Sequence, residues 1–473
     1  MRGIISYGAY VPYRRLDRTA IRSFLGSGGG RGTRSVASYD EDTTTMAVEA
    51  SRLALRSAPS GTQPDALWFA TVAPAYLDKT NATAIHAALR LDSDVLAADF
   101  GGAARSGVAA WRAALEGTGS VLVATADIRT GLPGSADEAA GGDAASALLI
   151  GEGGDGDEGG ALLAEHLGCA SATSEFIDRW RTPGENRSKQ WEERFGELQY
   201  VPLAEQAWNG ALKRAEITTA DVDLVAVTGL HSRAVRATLR TLGVAEDRII
   251  DDLSSTVGNS GTAHPGLLLA AALDRAEPGQ VIAVLSLADG ADAFVFRATD
   301  ALEARRPART VAGQVANGAD LPYAKFLSWR GMLTLEPPRR PEPARVSASA
   351  AARSTAWKYA FVGSRDRTSG AVHLPPARVS MVGDAVDDME PIPMADTEGT
   401  IVTYTVDRLA YSPSPPVIFA VVDFDGGGRL PIELTDIDET DVAIGGRVEM
   451  TFRRLNTADG IHNYFWKARP VRG

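Results

Sequence analysis

The sequence predicts a layered α/β body of two similar halves, followed by a small all-β barrel. Up to about residue 310, short apolar runs alternate with amphipathic helical patterns, which favours strands covered by helices. Beyond Trp357 the pattern changes to runs rich in Val, Ile, Thr, Tyr and Phe, punctuated by Gly and Asp, which is typical of strands and turns. A stretch rich in Pro and small residues separates the two regions.

The α/β body is predicted over residues 1–310. Strands that alternate with helices of this length favour largely parallel, layered sheets. The order of helix, strand, Gly-rich turn and buried helix occurs twice, which indicates two similar halves. The predicted strands are Ala66–Val72, Val121–Thr125, Ala145–Gly151, Leu224–Thr228, Val281–Leu285 and Asp292–Arg297, and the predicted helices include Thr43–Ser57, Ser106–Glu116, Pro202–Ala215 and Arg233–Leu242.

The C-terminal third is predicted to contain a linker and a barrel. Residues 311–356 are interpreted as a linker with a helical segment, because they contain EPPRRPEPA at 336–344 and VSASAAA at 346–352. Residues 396–473 hold enough alternating runs for five or six strands, which favours a small closed barrel.

Residues 174–200 interrupt the rhythm of the body. They are charged and carry Trp180 and Trp191. Two interpretations stay open at this point: a solvated helical insertion, or a cap over the entrance to a substrate site.

Composition excludes several classes of function. The chain has 473 residues and a formal net charge of −12, without a block of basic residues, so neither nucleic acid nor an anionic membrane is an expected partner. Its one cysteine, Cys169, cannot form an intrachain disulfide or a zinc cluster of thiolates. The N-terminal apolar run is too short for a signal peptide, and no run approaches the length of a membrane span. We therefore expect a cytoplasmic protein.

Four segments of the body carry residues that suit catalysis. DFGGAARSGVAAW at 99–111 is a Gly-rich turn leading into an apolar helix, whose N-terminus offers backbone N–H groups and the positive end of the helix dipole. His231 follows a strand, Asn259 lies in the Gly-flanked turn TVGNSG, and Gly290 is in a tight turn between two strands. Each segment alone is more typical of structure than of catalysis. Their order and spacing favour a common site.

These segments, with four others, resemble the 3-hydroxy-3-methylglutaryl-CoA synthase branch of the thiolase superfamily and, more distantly, ketoacyl synthase III. The others are GIISYGAYVPYRRLD at 3–17, EDTTTMAVEA at 41–50, GGDAASALLIGEG at 141–153 and VDLVAVTGLHS at 222–232. The resemblance implies a thiolase-like fold that forms a homodimer. It also implies that His231 and Asn259 bind a thioester carbonyl and stabilise its enolate, because fixed N–H donors favour an oxyanion as charge develops.

The chain departs from this family at two central positions. The family reads Ala-Cys-x-x-Gly where this chain has Ala103 to Gly107, so Ala104 occupies the position of the acylated cysteine. The family's glutamate base aligns with Val72, although a shifted alignment leaves Asp78 as a speculative substitute, with Tyr76 as a further helper. The remaining predicted contacts to substrate are Gly290, Ser106 and Trp180.

The C-terminal region resembles OB-fold proteins that associate with acyl-CoA and thiolase-like enzymes. The phrase GAVHLPPARV at 370–379 carries this resemblance, and residues 357–395 match the family's zinc ribbon. The four cysteine ligands are replaced here by Asp366, Ser369, Ser380 and Gly383. Because tetrahedral zinc needs thiolate or imidazole ligands, we expect no zinc, and a ribbon held by packing and hydrogen bonds.

Three functions remain open from the sequence. The first is an enzyme that forms or breaks C–C bonds on acyl-CoA or acyl carrier protein thioesters, without an acyl-cysteine and without a resident cofactor. The second is a non-catalytic acyl-CoA-binding or scaffold subunit that pairs with an active thiolase-like enzyme. The third keeps acyl transfer but uses Ser106 or Ser260 as the nucleophile. The sequence indicates no base beside either serine.

Overall fold

A computed structural model describes residues 1–153, 162–185 and 187–472, except for the side chain of Glu193. The chain forms two compact units. The first comprises Met1–Ala37, Glu49–Thr83 and Ser93–Phe326, and the second comprises Ser38–Val48, Ala84–Asp92 and Leu327–Gly473. Over the described ranges, no helix is long and apolar enough to cross a membrane.

The elements up to residue 329 are mostly those of the first unit. The strands are β1 (Arg2–Tyr10), β2 (Arg14–Asp17), β3 (Thr33–Val36), β4 (Ala66–Thr71), β5 (Leu96–Gly101), β6 (Val121–Asp127), β7 (Ala144–Glu152), β8 (Ala164–Ala172), β9 (Arg179–Trp180), β10 (Lys189–Gln190), β11 (Leu224–Gly229), β12 (Val281–Leu287), β13 (Ala291–Ala298) and β14 (Ala319–Asp320). The helices are α1 (Arg18–Leu25), α2 (Thr43–Ser57), α3 (Ala82–Ala88), α4 (Ser106–Glu116), α5 (Ala136–Ala140), α6 (Glu193–Arg214), α7 (Ser232–Leu242), α8 (His264–Leu273), α9 (Ala301–Arg305), α10 (Val311–Ala316) and α11 (Tyr323–Trp329).

Nine of these strands form one sheet in the order β11-β12-β13-β8-β1-β7-β6-β4-β5. The strands β4, β5 and β6 pair in parallel, as do β11 and β12, whereas every pairing from β6 through β1 and β8 to β12 is antiparallel. The prediction of largely parallel sheets was therefore wrong for the middle of this sheet, where neighbouring strands run in opposite directions and β12 and β13 are joined by a tight turn.

The sheet confirms the prediction of two similar halves. In one half, β4 pairs in parallel with β6, which continues antiparallel to β7 and β1. In the other half, β11 pairs in parallel with β12, which continues antiparallel to β13 and β8. The halves join where β1 pairs with β8. Strand order and direction thus repeat about the centre.

Helices cover both faces of the sheet. The central helix α8 reads HPGLLLAAAL and is buried almost throughout, because apolar side chains occupy its whole circumference. It shares an apolar cluster with α4, which buries Val108, Trp111 and Leu115. A second cluster joins α6 and α7 to the side chains of β8 and β11–β13 that point to the other face. This arrangement confirms the predicted layered α/β body.

Residues 174–200 are only partly helical. The pair β9–β10 forms a short antiparallel hairpin, and α6 begins at Glu193, nine residues before the predicted start at Pro202. The interpretation as a helical insertion was therefore wrong for the first part of the segment. Pro202 lies inside α6.

The second unit contains a small sheet and a barrel. Its elements are α12 (Ala348–Arg353), α13 (Thr355–Lys358), β15 (Val362–Asp366), β16 (Val372–His373), β17 (Met389–Pro393), β18 (Gly399–Asp407), β19 (Val417–Phe424), β20 (Arg429–Leu434), β21 (Arg447–Ala458) and β22 (Ile461–Pro470). The last five strands close a barrel in the order β18-β19-β20-β22-β21, which confirms the predicted small all-β barrel.

A buried charge network, which we call the acidic anchor, lies in the second unit. Asp40 and Glu41 of the segment Ser38–Val48 face two cations of the barrel, Arg453 and Lys467. The distance from the Lys467 Nζ to the Asp40 Oδ2 is 3.0 Å, and all four side chains are buried. Although burial favours the neutral lysine, Asp40 and other acids raise the pKa of Lys467 above its ordinary value.

Candidate functional site

The site is built first from the start of helix α4, where Ala104 lies half-buried just before the first helical residue. The hydroxyl of Ser106 donates to the carbonyl of Gly101 at 2.8 Å and closes the turn after β5. A Cβ on Gly107 would lie 2.8 Å from the carbonyl oxygen of Thr262. Glycine there lets α4 pack directly against the turn that carries Asn259.

The turn with Asn259 is tied to the end of strand β11. The Asn259 Nδ2 donates to the carbonyl of Gly229 at 3.0 Å, and its Oδ1 accepts the N–H of Gly261 at 2.9 Å. These bonds fix the carboxamide plane and leave a second Nδ2 hydrogen that neither of them uses.

His231 lies two residues after Gly229, so the same contact brings the two predicted residues to one end of the sheet. The imidazole is buried and caps helix α7, because its Nδ1 accepts the N–H of Ala234 at 3.1 Å. In the neutral ring this acceptor role assigns the proton to Nε2. His231 is therefore arranged to donate a hydrogen bond through Nε2.

Sequence reasoning missed Asp178, which lies beside His231. A Cβ on Gly196 of helix α6 would lie 2.9 Å from the His231 Nε2 and 2.8 Å from the Asp178 Oδ1, so both atoms line the same small space. Asp178 is buried, and its Oδ1 has no hydrogen-bond partner. A second observation that points to Asp178 is the pKa of Tyr200, which is raised by burial and by this neighbouring residue.

Asp127 is the second residue that sequence reasoning missed. Its carboxylate lies at the end of β6 and accepts the N–H of Val72 at 2.8 Å and that of Thr262 at 2.7 Å. Burial raises the pKa of Asp127, against the effect of the nearby Arg129. The carboxylate joins the end of β4 to the Asn259 turn. In the sequence, the single acidic residue at the end of the apolar run VLVATAD could have drawn attention to Asp127.

The turn with Gly290 meets the start of α4 through Arg105. The Arg105 Nε donates to the Asp292 Oδ2 at 2.7 Å, and its guanidinium also donates to the carbonyl of Asp289 at 2.9 Å. A Cβ on Gly290 would lie 2.6 Å from the guanidinium, and the backbone φ of +135° also favours glycine. Glycine at 290 therefore lets the β12–β13 turn approach the Arg105 guanidinium at the start of α4.

Two predicted residues lie apart from this cluster at the surface. Asp78 is exposed, and it takes no part in the bond from Asn259 to Gly229 that brings Asn259 and His231 to one end of the sheet. Trp180 is 38% exposed and stacks at an angle on Trp191, with ring centroids 5.9 Å apart. The β9–β10 hairpin that carries Trp180 is nevertheless attached to the site, since the Arg181 guanidinium donates to the carbonyl of Val72.

Cys169 lies in the middle of strand β8, opposite Phe294. It is buried, and burial raises the pKa of its thiol. Its neighbours are the strands and the apolar cluster around Trp111, not the N-terminus of α4.

The four positions that the resemblance aligned with zinc ligands, Asp366, Ser369, Ser380 and Gly383, converge in the second unit, and we call this group the knuckle. The Ser369 hydroxyl donates to the Asp366 Oδ2 at 2.5 Å, and a Cβ on Gly383 would lie 3.1 Å from the same oxygen. Hydrogen bonds from Ser369 and Ser380 hold the pKa of Asp366 below its ordinary value. One carboxylate with two hydroxyls does not fit tetrahedral zinc. Within the described residues, no three His, Cys, Asp or Glu side chains are grouped to hold a metal.

Comparison with known families agrees with both parts of the structure. Residues 212–296 match the family described as 3-oxoacyl-[acyl-carrier-protein] synthase III C terminal, and residues 392–453 match the ChsH2 C-terminal OB-fold domain. The barrel is therefore an OB-fold domain joined to a thiolase-like body.

Individual relatives point to one branch. A hydroxymethylglutaryl-CoA synthase from Thermococcus sibiricus is 30% identical over 344 residues, covering 70% of this chain and 97% of that protein. One from Methanopyrus kandleri is 31% identical, covering 64% and 89%.

Solved structures share the fold at lower identity. PksG, an HMG-CoA synthase from Bacillus subtilis, superposes with a TM-score of 0.58 at 17% identity, covering 70% of this chain and 89% of that chain. The HMG synthase of the curacin pathway, solved with an acetyl donor acyl carrier protein, gives 0.58 at 17%, covering 70% and 88%. The protein thus belongs to the hydroxymethylglutaryl-CoA synthase family of the thiolase superfamily.

Proposed function

We propose that the protein forms an enolate from an acyl-CoA or acyl carrier protein thioester and uses it to make or break a C–C bond, without an acyl-cysteine. The observation that supports this proposal is the hydrogen bond from Asn259 to Gly229, which brings the N–H donors of Asn259 and His231 to one end of the sheet. Donors fixed before the reaction stabilise the charge that develops on a thioester oxygen.

Two side chains are the reason why we expect no acyl-enzyme. Ala104 offers a methyl group where the family has its nucleophile, and methyl groups are not acylated. Cys169 is no substitute, since it is buried in β8 and its pKa is raised. Aldol, retro-aldol and decarboxylation steps need no covalent acyl group, whereas transacylation usually does.

The proton removed from the α-carbon needs an acceptor, and we assign this role to Asp178. Its unpartnered Oδ1 shares a space with the His231 Nε2. The proton would pass to the Asp178 carboxylate, the C–H electron pair would become the enolate double bond, and the thioester oxygen would take the negative charge between His231 and Asn259. Asp178 replaces the exposed Asp78 as the preferred base.

The thioester carrier and the oligomer are part of the same proposal. A relative was solved with 3-hydroxy-3-methylglutaryl coenzyme A and another with an acetyl donor acyl carrier protein, so both carriers are candidates here. Strand β5 ends the sheet, and its Leu96 is 61% exposed. An open edge strand of this kind supports pairing with a second copy of the chain in a homodimer.

The second candidate is a non-catalytic acyl-CoA-binding or scaffold subunit for an active thiolase-like enzyme. Ala104 favours it, because that residue removes the family's nucleophile while the surrounding fold is kept.

Deuterium exchange separates the two candidates. The protein is incubated in D₂O with acetyl-, propionyl- and malonyl-CoA, and deuterium entry at the α-carbon and loss of CO₂ are followed by NMR and mass spectrometry. We expect exchange that falls at least about 100-fold in His231→Ala and Asp178→Asn, as for loss of a positioned acid or base. His86→Ala, a histidine outside the site, is the control. Saturable CoA binding without any exchange would support the subunit instead.

A further inference from the structure

His264 is a buried histidine that the proposed reaction does not use. It is the first residue of helix α8 and is 2% exposed. Its Nε2 lies 3.1 Å from the carbonyl oxygen of Asp252, and its Nδ1 lies 3.3 Å from the Ser260 Oγ and 3.4 Å from the Ser260 N. The imidazole thus links the loop at Asp252, the turn at Ser260 and the start of α8.

The hydrogen-bond partners of the His264 ring determine which of its nitrogens carries the proton. A carbonyl can only accept, so the Nε2 of His264 donates to Asp252 and the Nδ1 is left as an acceptor. Both the N–H and the hydroxyl of Ser260 can then donate to that nitrogen. Burial lowers the pKa of His264 to about 4, so the ring is neutral near pH 7 and keeps its acceptor.

This acceptor holds one side of the turn that presents Asn259. Ser260 follows Asn259 directly, and its polar groups face His264. On the other side, the N–H of Thr262 donates to the Asp127 Oδ2 at 2.7 Å. The turn is therefore held between a buried imidazole and a buried carboxylate, and the direction of the Asn259 carboxamide depends on both.

We infer that His264 is a positioning residue, which holds Ser260 and thereby aims the Asn259 carboxamide at the thioester oxygen. The inference rests on the proposed function and adds a residue to it. Ser260 is fully buried. Its hydroxyl lies 3.3 Å from the His264 Nδ1, and in this role the pair acts through Asn259 and not as a nucleophile with its base.

Three variants test this assignment. His264→Leu removes the acceptor, His264→Asn keeps an acceptor near the place of Nδ1, and Ser260→Ala removes only the hydroxyl. The rate of α-proton exchange at saturating acetyl-CoA and the Kd of acetyl-CoA are measured for each, together with the thermal midpoint. We expect His264→Leu to lose about 10- to 100-fold in rate, as for a small misplacement of a catalytic group, with less than about a twofold change in Kd.

The conservative variant His264→Asn distinguishes a positioning role of His264 from a purely structural one. His264→Asn should recover to within about threefold of the wild-type rate, and Ser260→Ala should fall between the two. Equal losses in His264→Leu and His264→Asn that follow the loss in thermal midpoint would overturn the inference, as would a normal rate in His264→Leu. A wild-type protein without exchange overturns the proposed function and this inference together. Exchange that needs His231 but not His264 overturns only the inference.

Discussion

Gly196 shows how much a single residue decides in this site. Any side chain there would approach the ring of His231 to 2.7 Å and the carboxylate of Asp178 to 2.8 Å, and both of these groups are buried. The motif pattern pointed to His231 and Asn259, because each sits at a recognisable strand end or Gly-flanked turn. It did not point to Gly196 or Asp178, because their proximity to His231 arises only when α6 packs against α7, whose N-cap is His231.

We predict that Gly196→Ala lowers the rate of α-proton exchange by at least about tenfold, because the new methyl group displaces His231 or Asp178 from its place. Helix stability should not fall much, since alanine is favoured over glycine in a helix by about 1 kcal/mol. The exchange rate and the thermal midpoint are the measurements. Leu198→Ala, an exposed change on the same helix, should behave like the wild type in both.

Ala104→Cys should restore an acylated cysteine. The new thiol would lie at the N-terminus of α4, where the helix dipole favours the thiolate. After incubation with acetyl-CoA, intact-mass measurement should find one acetyl group on Ala104→Cys in a Cys169→Ala background and none on the wild type. Cys169→Ala alone should keep the wild-type exchange rate. Acetylation of Cys169 in the wild type would argue against an enzyme that works without an acyl-cysteine.

His264 also predicts a pH dependence of stability. Its pKa is lowered from 6.5 to about 4 in the folded chain, so the unfolded chain binds more protons between these values and stability falls as the pH decreases through this range. The loss should reach about 3 kcal/mol near pH 4. Urea unfolding of the wild type and His264→Asn between pH 7 and pH 4 measures it. The stability of the wild type relative to His264→Asn should fall by about 3 kcal/mol between pH 7 and pH 4, and parallel curves would contradict the assignment.

At the scale of elements, hydrophobic periodicity predicted only some strands of the main sheet and not their direction. Strands β4, β6, β7, β11, β12 and β13 were predicted from their apolar runs, whereas β1 and β8 were not. The sequence of β8, AEHLGCASA, has weak strand propensity, and its conformation is imposed by the neighbouring strands β1 and β13. For strands other than the pair β12–β13, which a tight turn joins, strand direction could not be inferred either, because the lengths of the connections allowed both senses.

The knuckle gives the prediction at this scale. The expectation that hydrogen bonds replace the metal came from the missing ligands, but the pairing of Asp366 with Ser369 and Ser380 came from the structure. Asp366→Ala should lower the thermal midpoint by a few degrees, because it leaves two hydroxyl donors without their acceptor. Chelator should change nothing in the wild type.

A gain-of-function variant provides the matched control for the knuckle. Replacing Asp366, Ser369, Ser380 and Gly383 together by cysteine should create a site that binds one zinc ion per chain, since the four positions converge. Elemental analysis measures the metal. A stoichiometric zinc content in the wild type would contradict our account of the knuckle.

At the scale of the whole molecule, the acidic anchor is a buried charge network between the segment Ser38–Val48 and the barrel, both of the second unit. Lys467→Met should destabilise the second unit by about 3–5 kcal/mol, because Asp40 would stay buried without its nearer cation and with Arg453 at 3.7 Å. Arg408→Ala breaks an ion pair whose arginine is 68% exposed, and it should cost less than about 1 kcal/mol. Chemical unfolding of both variants measures the difference, and equal effects would be evidence against a buried network.

The second unit is discontinuous along the gene, because Ser38–Val48 and Ala84–Asp92 are encoded far upstream of the barrel. Excision of the C-terminal portion at Phe326 would leave Asp40 and Glu41 buried without Arg453 and Lys467. Expressed alone, that portion would keep Asp436 beside Arg453 and Glu433 beside Lys467, but it would lose Asp40 and Glu41. A gene fusion can join two complete domains end to end. Because the second unit contains segments from distant parts of the chain, a single cut yields no product that contains the whole of it.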